Sequence, residues 1–204
     1  MKRRLPLIFV AVVAVACLAA ASVAAVASGV SGSAVAYTVN GTKVSQSTVN
    51  DQLKELADRD AKSAVETLFQ QSLATTDGAV NSTAAATWID FQIRHELFRQ
   101  AAADANATVG AAERAAVTKR IEAQLESQQA KFRLADLPRS LRDAFVDSNA
   151  YQAALKLDTD AKLSAFLTKA FRTADVTVDP RYGRWNPRQG VCPPTGCAPA
   201  NPNG

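Results

Sequence analysis

His95 is the only histidine in the chain. A two-histidine metal site therefore cannot be built, and nothing around His95 marks it as the base of a Ser/His/Asp relay. It is expected as a surface or boundary histidine. Asp90 and Arg94 stand four positions apart and invite reading as a functional charge pair. At helical spacing the expected outcome is a solvated bridge, worth about 0.3–0.5 kcal/mol. The third candidate is Cys192-Pro-Pro-Thr-Gly-Cys197, which places four residues between its sulfurs where redox-active pairs have two. In an oxidising compartment that spacing predicts a small structural disulfide between Cys192 and Cys197. There is no Gly-rich phosphate loop and no paired acid/base carboxylate. No catalytic, cofactor-binding or metal-ligating residue is assigned, and no cofactor is expected.

What remains is a set of elements able to bind, organised around Trp88-Ile89-Asp90-Phe91-Gln92-Ile93-Arg94-His95-Glu96-Leu97-Phe98-Arg99. At about 100° per residue, Ile89, Ile93 and Leu97 form one stripe, and Trp88, Phe91, Phe98 and Ala102 gather roughly opposite. Asp90 and Arg94 occupy one intervening edge; Gln92, Glu96 and Arg99 occupy the other. A surface helix needs one apolar face. Two separated stripes predict a central helix, continuing to Ala103, clasped between earlier and later elements.

The 204 residues, 48% of them hydrophobic, suffice for one domain with a modest core and appendages. Large apolar residues recur at helical spacing rather than in Val/Ile-rich runs, which favours a mainly α fold. Lys2, Arg3 and Arg4 are three of the 23 basic residues, and no acidic residue precedes Asp51, so residues 37–204 carry 20 basic against 19 acidic side chains. That balance gives no electrostatic case for nucleic acid.

Met1 to Arg4 is a positive n-region, and Leu5 to Ala27 follows without a charge, as in an export signal. Ala34-Val35-Ala36 and Ala25-Val26-Ala27 both fit an Ala-x-Ala cleavage site. The apolar run is also about long enough to span a bilayer as a retained anchor. Ala14-Val15-Ala16-Cys17 is similar to a lipobox, although Ala14 stands where leucine is usual, so Cys17 is a candidate for lipidation or simply another small apolar residue of the signal. Each route delivers the body outside the cytoplasmic membrane, in contact with it, in the cell envelope or secreted.

After a Gly/Ser spacer, Ala36-Tyr37-Thr38-Val39 reads as a strand, Asn40-Gly41 as a turn and Lys43-Val44 as the returning strand. Ser45 or Ser47 is expected to cap a helix over Thr48 to about Arg59, with Lys54/Asp58 and Glu55/Arg59 as i,i+4 pairs. A short helix carries Ala64, Val65, Leu68 and Phe69. Ser72 to Ala86, poor in large apolar groups, is expected as a mobile surface loop. Gly110 with Glu113 restarts a helix to about Lys131. Leu137-Pro138 opens the next, and Thr159 to Arg172 forms the last. Val176-Thr177-Val178 alternates like a strand. Residues 180–204, rich in Pro, Gly, Arg and Asn, read as an extended tail in which Tyr182 and Trp185 pin the chain to the domain or serve as contacts for a partner.

This order of elements resembles the N-terminal chaperone region of the SurA/PrsA-type extracytoplasmic foldases. The Val39-Asn40-Gly41 turn, the passage from Lys43 to Val49, the Ile93-Arg94-His95-Glu96-Leu97 helix and the Val109 to Glu113 restart carry the likeness. Pro180-Arg181-Tyr182-Gly183-Arg184-Trp185 is similar to the ending of actinobacterial members. The resemblance implies a helical domain over residues 37–179 whose strand at Val176 returns beside Tyr37 to Val39. It also implies weak, reversible binding of unfolded or exported polypeptides in a cleft between helices, with the 72–86 loop as an adjustable lip. The family's parvulin-type prolyl isomerase domain needs on the order of a hundred residues. The interval between Leu157 and Val176 already holds a helix, so that domain is expected to be absent and the protein is read as a non-enzyme. Two further readings stand beside it: an envelope adaptor or structural lipoprotein with one dedicated partner, and a relative with residual isomerase activity.

Overall fold

The computed structural model describes residues 34–74 and 79–197. In chain order these form β1 (Val35–Val39), β2 (Thr42–Ser45), α1 (Gln46–Leu56), α2 (Arg59–Phe69), α3 (Ser82–Asp104) and α4 (Ala111–Ser127). A 3₁₀ turn (Leu134–Asp136), α5 (Arg139–Ala154), α6 (Asp160–Thr173), β3 (Val176–Val178), β4 (Arg184–Asn186) and β5 (Gly190–Cys192) follow. The fold is mainly α, with a small antiparallel sheet at the chain ends.

That sheet has the order β2-β1-β3. Asn40 and Gly41 take φ of 48° and 85°, a two-residue turn whose twist suits an antiparallel hairpin. On the other side of β1, Tyr37 faces Val178 and Val39 faces Val176, so the end of the helical body returns to its opening strand. Asn40 joins both functions: its side-chain oxygen accepts the Asp175 N–H at 2.8 Å, and its own N–H donates to the Asp175 carbonyl at 2.8 Å.

Ser45 caps α1, its hydroxyl accepting the Thr48 N–H at 3.1 Å. The helix stops at Leu56 rather than running to Arg59, because Asp58 is used instead as the N-cap of α2, accepting the Asp60 N–H at 3.0 Å. The expected Lys54/Asp58 and Glu55/Arg59 pairs are therefore not formed. Lys54 lies 3.6 Å from Asp51, and Glu55 accepts the Ser140 N–H at 3.2 Å, placing a carboxylate at the start of α5.

The reading of residues 72–86 as a loop is corrected. Asn81 accepts the Thr83 N–H at 2.8 Å and starts α3 at Ser82, with Ala84, Ala85 and Ala86 buried. Alanine is the strongest helix former, and its small side chain lets the helix lie close to its neighbours without large apolar groups. Ala74 and Val80 form an isolated antiparallel bridge, and residues 75–78 lie outside the described residues.

Both stripes of α3 are interior: Trp88, Ile89, Phe91, Ile93, Leu97, Phe98 and Ala102 are all buried. Gln100 of α3 donates to the Val39 carbonyl at 3.3 Å on the sheet side, and Phe98 stacks on Phe166 of α6 at 5.2 Å on the other. Trp88 donates through its indole N–H to Gln52 of α1 at 3.1 Å. A helix buried on two sides shows little amphipathic asymmetry, as the paired stripes predict. Val117 and Ile121 of α4 and Leu141 of α5 complete this core. The Gly110 N–H donates to Glu113 at 2.9 Å at the start of α4, which ends at Ser127, short of Lys131.

The extended tail beginning at residue 180 is also corrected. Residues 184–192 form an antiparallel hairpin with Trp185 opposite Val191, and Tyr182, Val191 and Cys192 are buried. Short strands, a turn and a disulfide between Cys192 and Cys197 give this Pro/Gly-rich segment a docked structure that composition alone does not reveal. Cys17 and the apolar run of residues 5–27 lie outside the described residues. So do residues 198–204.

Candidate functional site

Positions 90 and 94 fall one turn apart on the same edge of α3, so their side chains meet. The Arg94 Nε donates to Asp90 Oδ2 at 2.6 Å, but the two side chains are only 12% and 18% exposed. This is not the solvated bridge that spacing suggests. The other carboxylate oxygen, Oδ1, accepts the Val191 N–H of β5 at 2.9 Å. Gly190 has φ of 87°, and a Cβ there would collide with the Asp90 carboxylate, so both the turn and the close approach require glycine. The Arg94 guanidinium lies 4.7 Å from the centre of the Phe171 ring, and Phe171 meets Trp185 edge-on at 4.9 Å. The charge pair is thus the clamp holding the C-terminal hairpin to α3 and α6. Tyr182 anchors the chain just before it, donating its hydroxyl to Asn50 of α1 at 2.9 Å, and burial raises the pKa of that hydroxyl.

On the opposite edge of α3, Glu96 receives Arg99 at 2.6 Å and Gln100 at 2.7 Å. Burial raises its pKa, but the hydrogen bonds from Arg99, Gln100 and Thr42 prevail and hold the carboxyl below the usual range. Asn40 donates to Gln100 at 2.7 Å, so this network ties the β1–β2 turn to the helix. Its contacts hold the turn, β1 and α3 together.

His95 faces α5. Its Nδ1 lies 3.0 Å from the Ser148 hydroxyl, and its ring is tilted against Tyr151 with centres 5.9 Å apart. Burial lowers its pKa, against the pull of Asp147 and Glu96 and with the help of Arg99 and Arg114. Ser148 is buried and His95 half-buried, and their contact joins α3 to α5.

A feature not anticipated from sequence is an open groove of about 340 Å³ between α4, the 3₁₀ turn and α5. Arg114, Thr118 and Glu122 line one wall at i, i+4 and i+8; Arg142, Asp143, Val146 and Asp147 line the other. Leu134 lies at its base, and with Val146, both largely buried, gives the groove a narrow apolar strip. Arg114 crosses to Asp147 through two contacts, Nε to Oδ1 at 2.8 Å and Nη2 to Oδ2 at 2.9 Å, which fixes the spacing of the walls. The signal present in sequence was a polar i+4 stripe on α4, which reads equally well as a wetted face.

Among the described residues there is no cluster of three His, Cys, Asp or Glu side chains able to hold a metal, and no helix long and apolar enough to cross a membrane. Val35, 40% exposed, is the one large apolar side chain among them that stands open to solvent. No family model, curated protein or solved structure matches the chain.

Proposed function

We propose that this is an extracytoplasmic, foldase-like protein that binds segments of unfolded or partner polypeptides without catalysis. The observation that carries the reading is the α4–α5 groove, a cleft between helices whose walls combine charge of both signs with a narrow apolar strip. Such a cleft suits a short extended segment, with the strip taking one apolar side chain and the walls meeting backbone and polar groups. The N-terminal run of residues 5–27, with its preceding cations, supports delivery across and association with a membrane. The likeness of the 36–187 element order to the SurA/PrsA-type chaperone region supports polypeptide as the ligand class.

A second reading, an envelope adaptor with one dedicated partner, is favoured by the scarcity of exposed large apolar side chains among the described residues. A general holdase captures many clients through apolar contact, whereas a charged groove selects among them. The discriminating experiment is suppression of aggregation of two unrelated denatured proteins by the purified protein. Protection of both near stoichiometric ratio supports the chaperone; protection of neither, with a single protein recovered by crosslinking from the envelope, supports the adaptor. An Arg114→Ala/Asp147→Ala variant that retains its helical signal and binds as well as the wild type would remove the groove as the site.

A further inference from the structure

Charge is not spread evenly along this chain. Of the 20 basic and 19 acidic side chains of residues 37–204, six and two fall after Asp160, which leaves 14 against 17 up to that residue. Within the basic end, Lys162 is paired with Asp158 at 2.6 Å and Arg181 with Asp179 at 3.2 Å. Lys169, Arg172, Arg184 and Arg188 are exposed, and among the described residues none of the four has a carboxylate within ion-pair reach. Arg172 lies in the last turn of α6, where the helix dipole favours a cation. Strands carry almost no such dipole, so this does not account for Arg184 and Arg188 on the β4–β5 hairpin. The edge-on contact of Phe171 with Trp185 brings Arg172 and Arg184, their chain neighbours, to the two sides of one seam. Arg184 stands on the opposite face of β4 from Trp185, toward solvent, and Arg188 occupies the hairpin turn.

This hairpin departs from the place where the chain enters the fold. β1 and β3 run antiparallel, and the Asp179 N–H donates to the Ala36 carbonyl at 2.7 Å. Arg184 is five positions beyond Asp179, so its backbone is within about 18 Å of that bond. Val35, 40% exposed, stands at the same entry. The exposed Asp175 is at the other end of β3, against Asn40. An apolar side chain, a half-buried indole and unpaired cations therefore border the point to which residues 5–27 are joined.

We propose that the outer face of the β4–β5 hairpin, centred on Arg184 and Arg188 with Arg172 at its margin, docks on the anionic lipid surface of the membrane reached by the N-terminal run. The inference rests on the membrane-associated reading above and adds the orientation of the body, hairpin toward the bilayer. Each basic side chain at an anionic lipid surface raises the ratio of docked to undocked protein by about fivefold, and salt screens the attraction. The Asp90–Arg94 clamp, which holds the hairpin to α3, passes that orientation to the helices.

The test inserts the full chain into vesicles of phosphatidylcholine alone and of phosphatidylcholine mixed with phosphatidylglycerol, and reads the quenching of Trp emission by nitroxide-labelled headgroups. Trp88 is wholly buried, so the quenching reports Trp185. Strong quenching is expected only with phosphatidylglycerol, and is expected to fade at about 1 M salt, where charges act over about 3 Å. Arg184→Gln/Arg188→Gln, with the helical circular dichroism signal kept, should lower the docked-to-undocked ratio by about 25-fold, whereas Arg184→Lys/Arg188→Lys should retain it. Equal quenching in the two kinds of vesicle, or quenching undiminished by the glutamine changes, overturns the docking surface and leaves the membrane-associated reading standing. A tighter hold on a labelled oligonucleotide than on the anionic vesicles overturns it in favour of nucleic acid. Failure of the full chain to associate with either vesicle overturns both.

Discussion

Two segments bring the end of the chain back to its body, and they do so by different physics. β3 joins β1 through backbone pairing, with Thr38 and Thr177 facing each other across the strands at 2.6 Å between hydroxyls. The β4–β5 hairpin joins the helices through side chains, the Asp90 carboxylate braced by Arg94 on α3 and Phe171 against Trp185 on α6, with Val191 buried. The first attachment depends on register and tolerates many side chains. The second depends on a particular carboxylate, a particular guanidinium and a glycine. One is therefore robust to substitution and the other is brittle, although they lie close together in the chain.

The largest effect is expected where both attachments share a support. Trp88→Ala, in the middle of the α3 core and wholly buried, should lower stability by about 3–5 kcal/mol in urea unfolding followed by circular dichroism. A loss below 1 kcal/mol would show that α3 is not the common support. Next comes the clamp. Asp90→Ala leaves the Val191 N–H without its acceptor and Arg94 poorly solvated without its partner, and should cost about 2–3 kcal/mol. Exchange protection should fall at residues 184–192 while that of β3 is kept. Equal loss in both segments would erase the distinction between them.

The α3–α5 seam offers a smaller, pH-dependent effect. The folded state lowers the His95 pKa below its ordinary value of 6.5. The unfolded chain therefore takes up the proton first, and the stability this site contributes above pH 6.5 is lost as pH falls from there through the folded pKa. His95→Gln should flatten stability across that interval, measured by thermal unfolding between pH 7.5 and 5; an unchanged slope would assign the dependence elsewhere. Glu96 contributes in a separate window, with stability present above its ordinary 4.5 and lost as pH drops through its lowered folded value. The smallest change is expected for Thr38→Val, which removes the exposed hydroxyl pair of β1 and β3 and should move stability by about 0.2–1 kcal/mol. A larger loss would mean that the sheet closes through side chains after all.

The difference between the two attachments also explains what was legible in the sequence. Alternation in Tyr37 to Val39 and Val176 to Val178, the Asn40-Gly41 turn and the two stripes of α3 all follow from backbone periodicity, and each lies where its spacing indicates. Asp90 and Arg94 have the spacing of a solvated pair, and only the hairpin arriving from position 191 buries them. Periodicity is local, and that partner is 101 positions away. Ala84 to Ala86 misled for a related reason: small residues look like loop composition until a neighbouring surface is close enough to need them. The groove walls at Arg114 and Asp147 were hidden as well, since two wetted faces enclose a groove only when α4 and α5 are set side by side.

The register of β1 also fixes an order of events. Thr38 and its partner Thr177 are separated by 139 positions, so the middle strand of the sheet has one flank filled by β2 at once and the other only after the six helices have been delivered. Pairings this distant in sequence form late. A chain supplied from its first residue onward thus carries an open strand edge through nearly all of its own synthesis, and any product truncated before Val176 keeps that edge permanently, with the aggregation hazard that an unpaired strand brings.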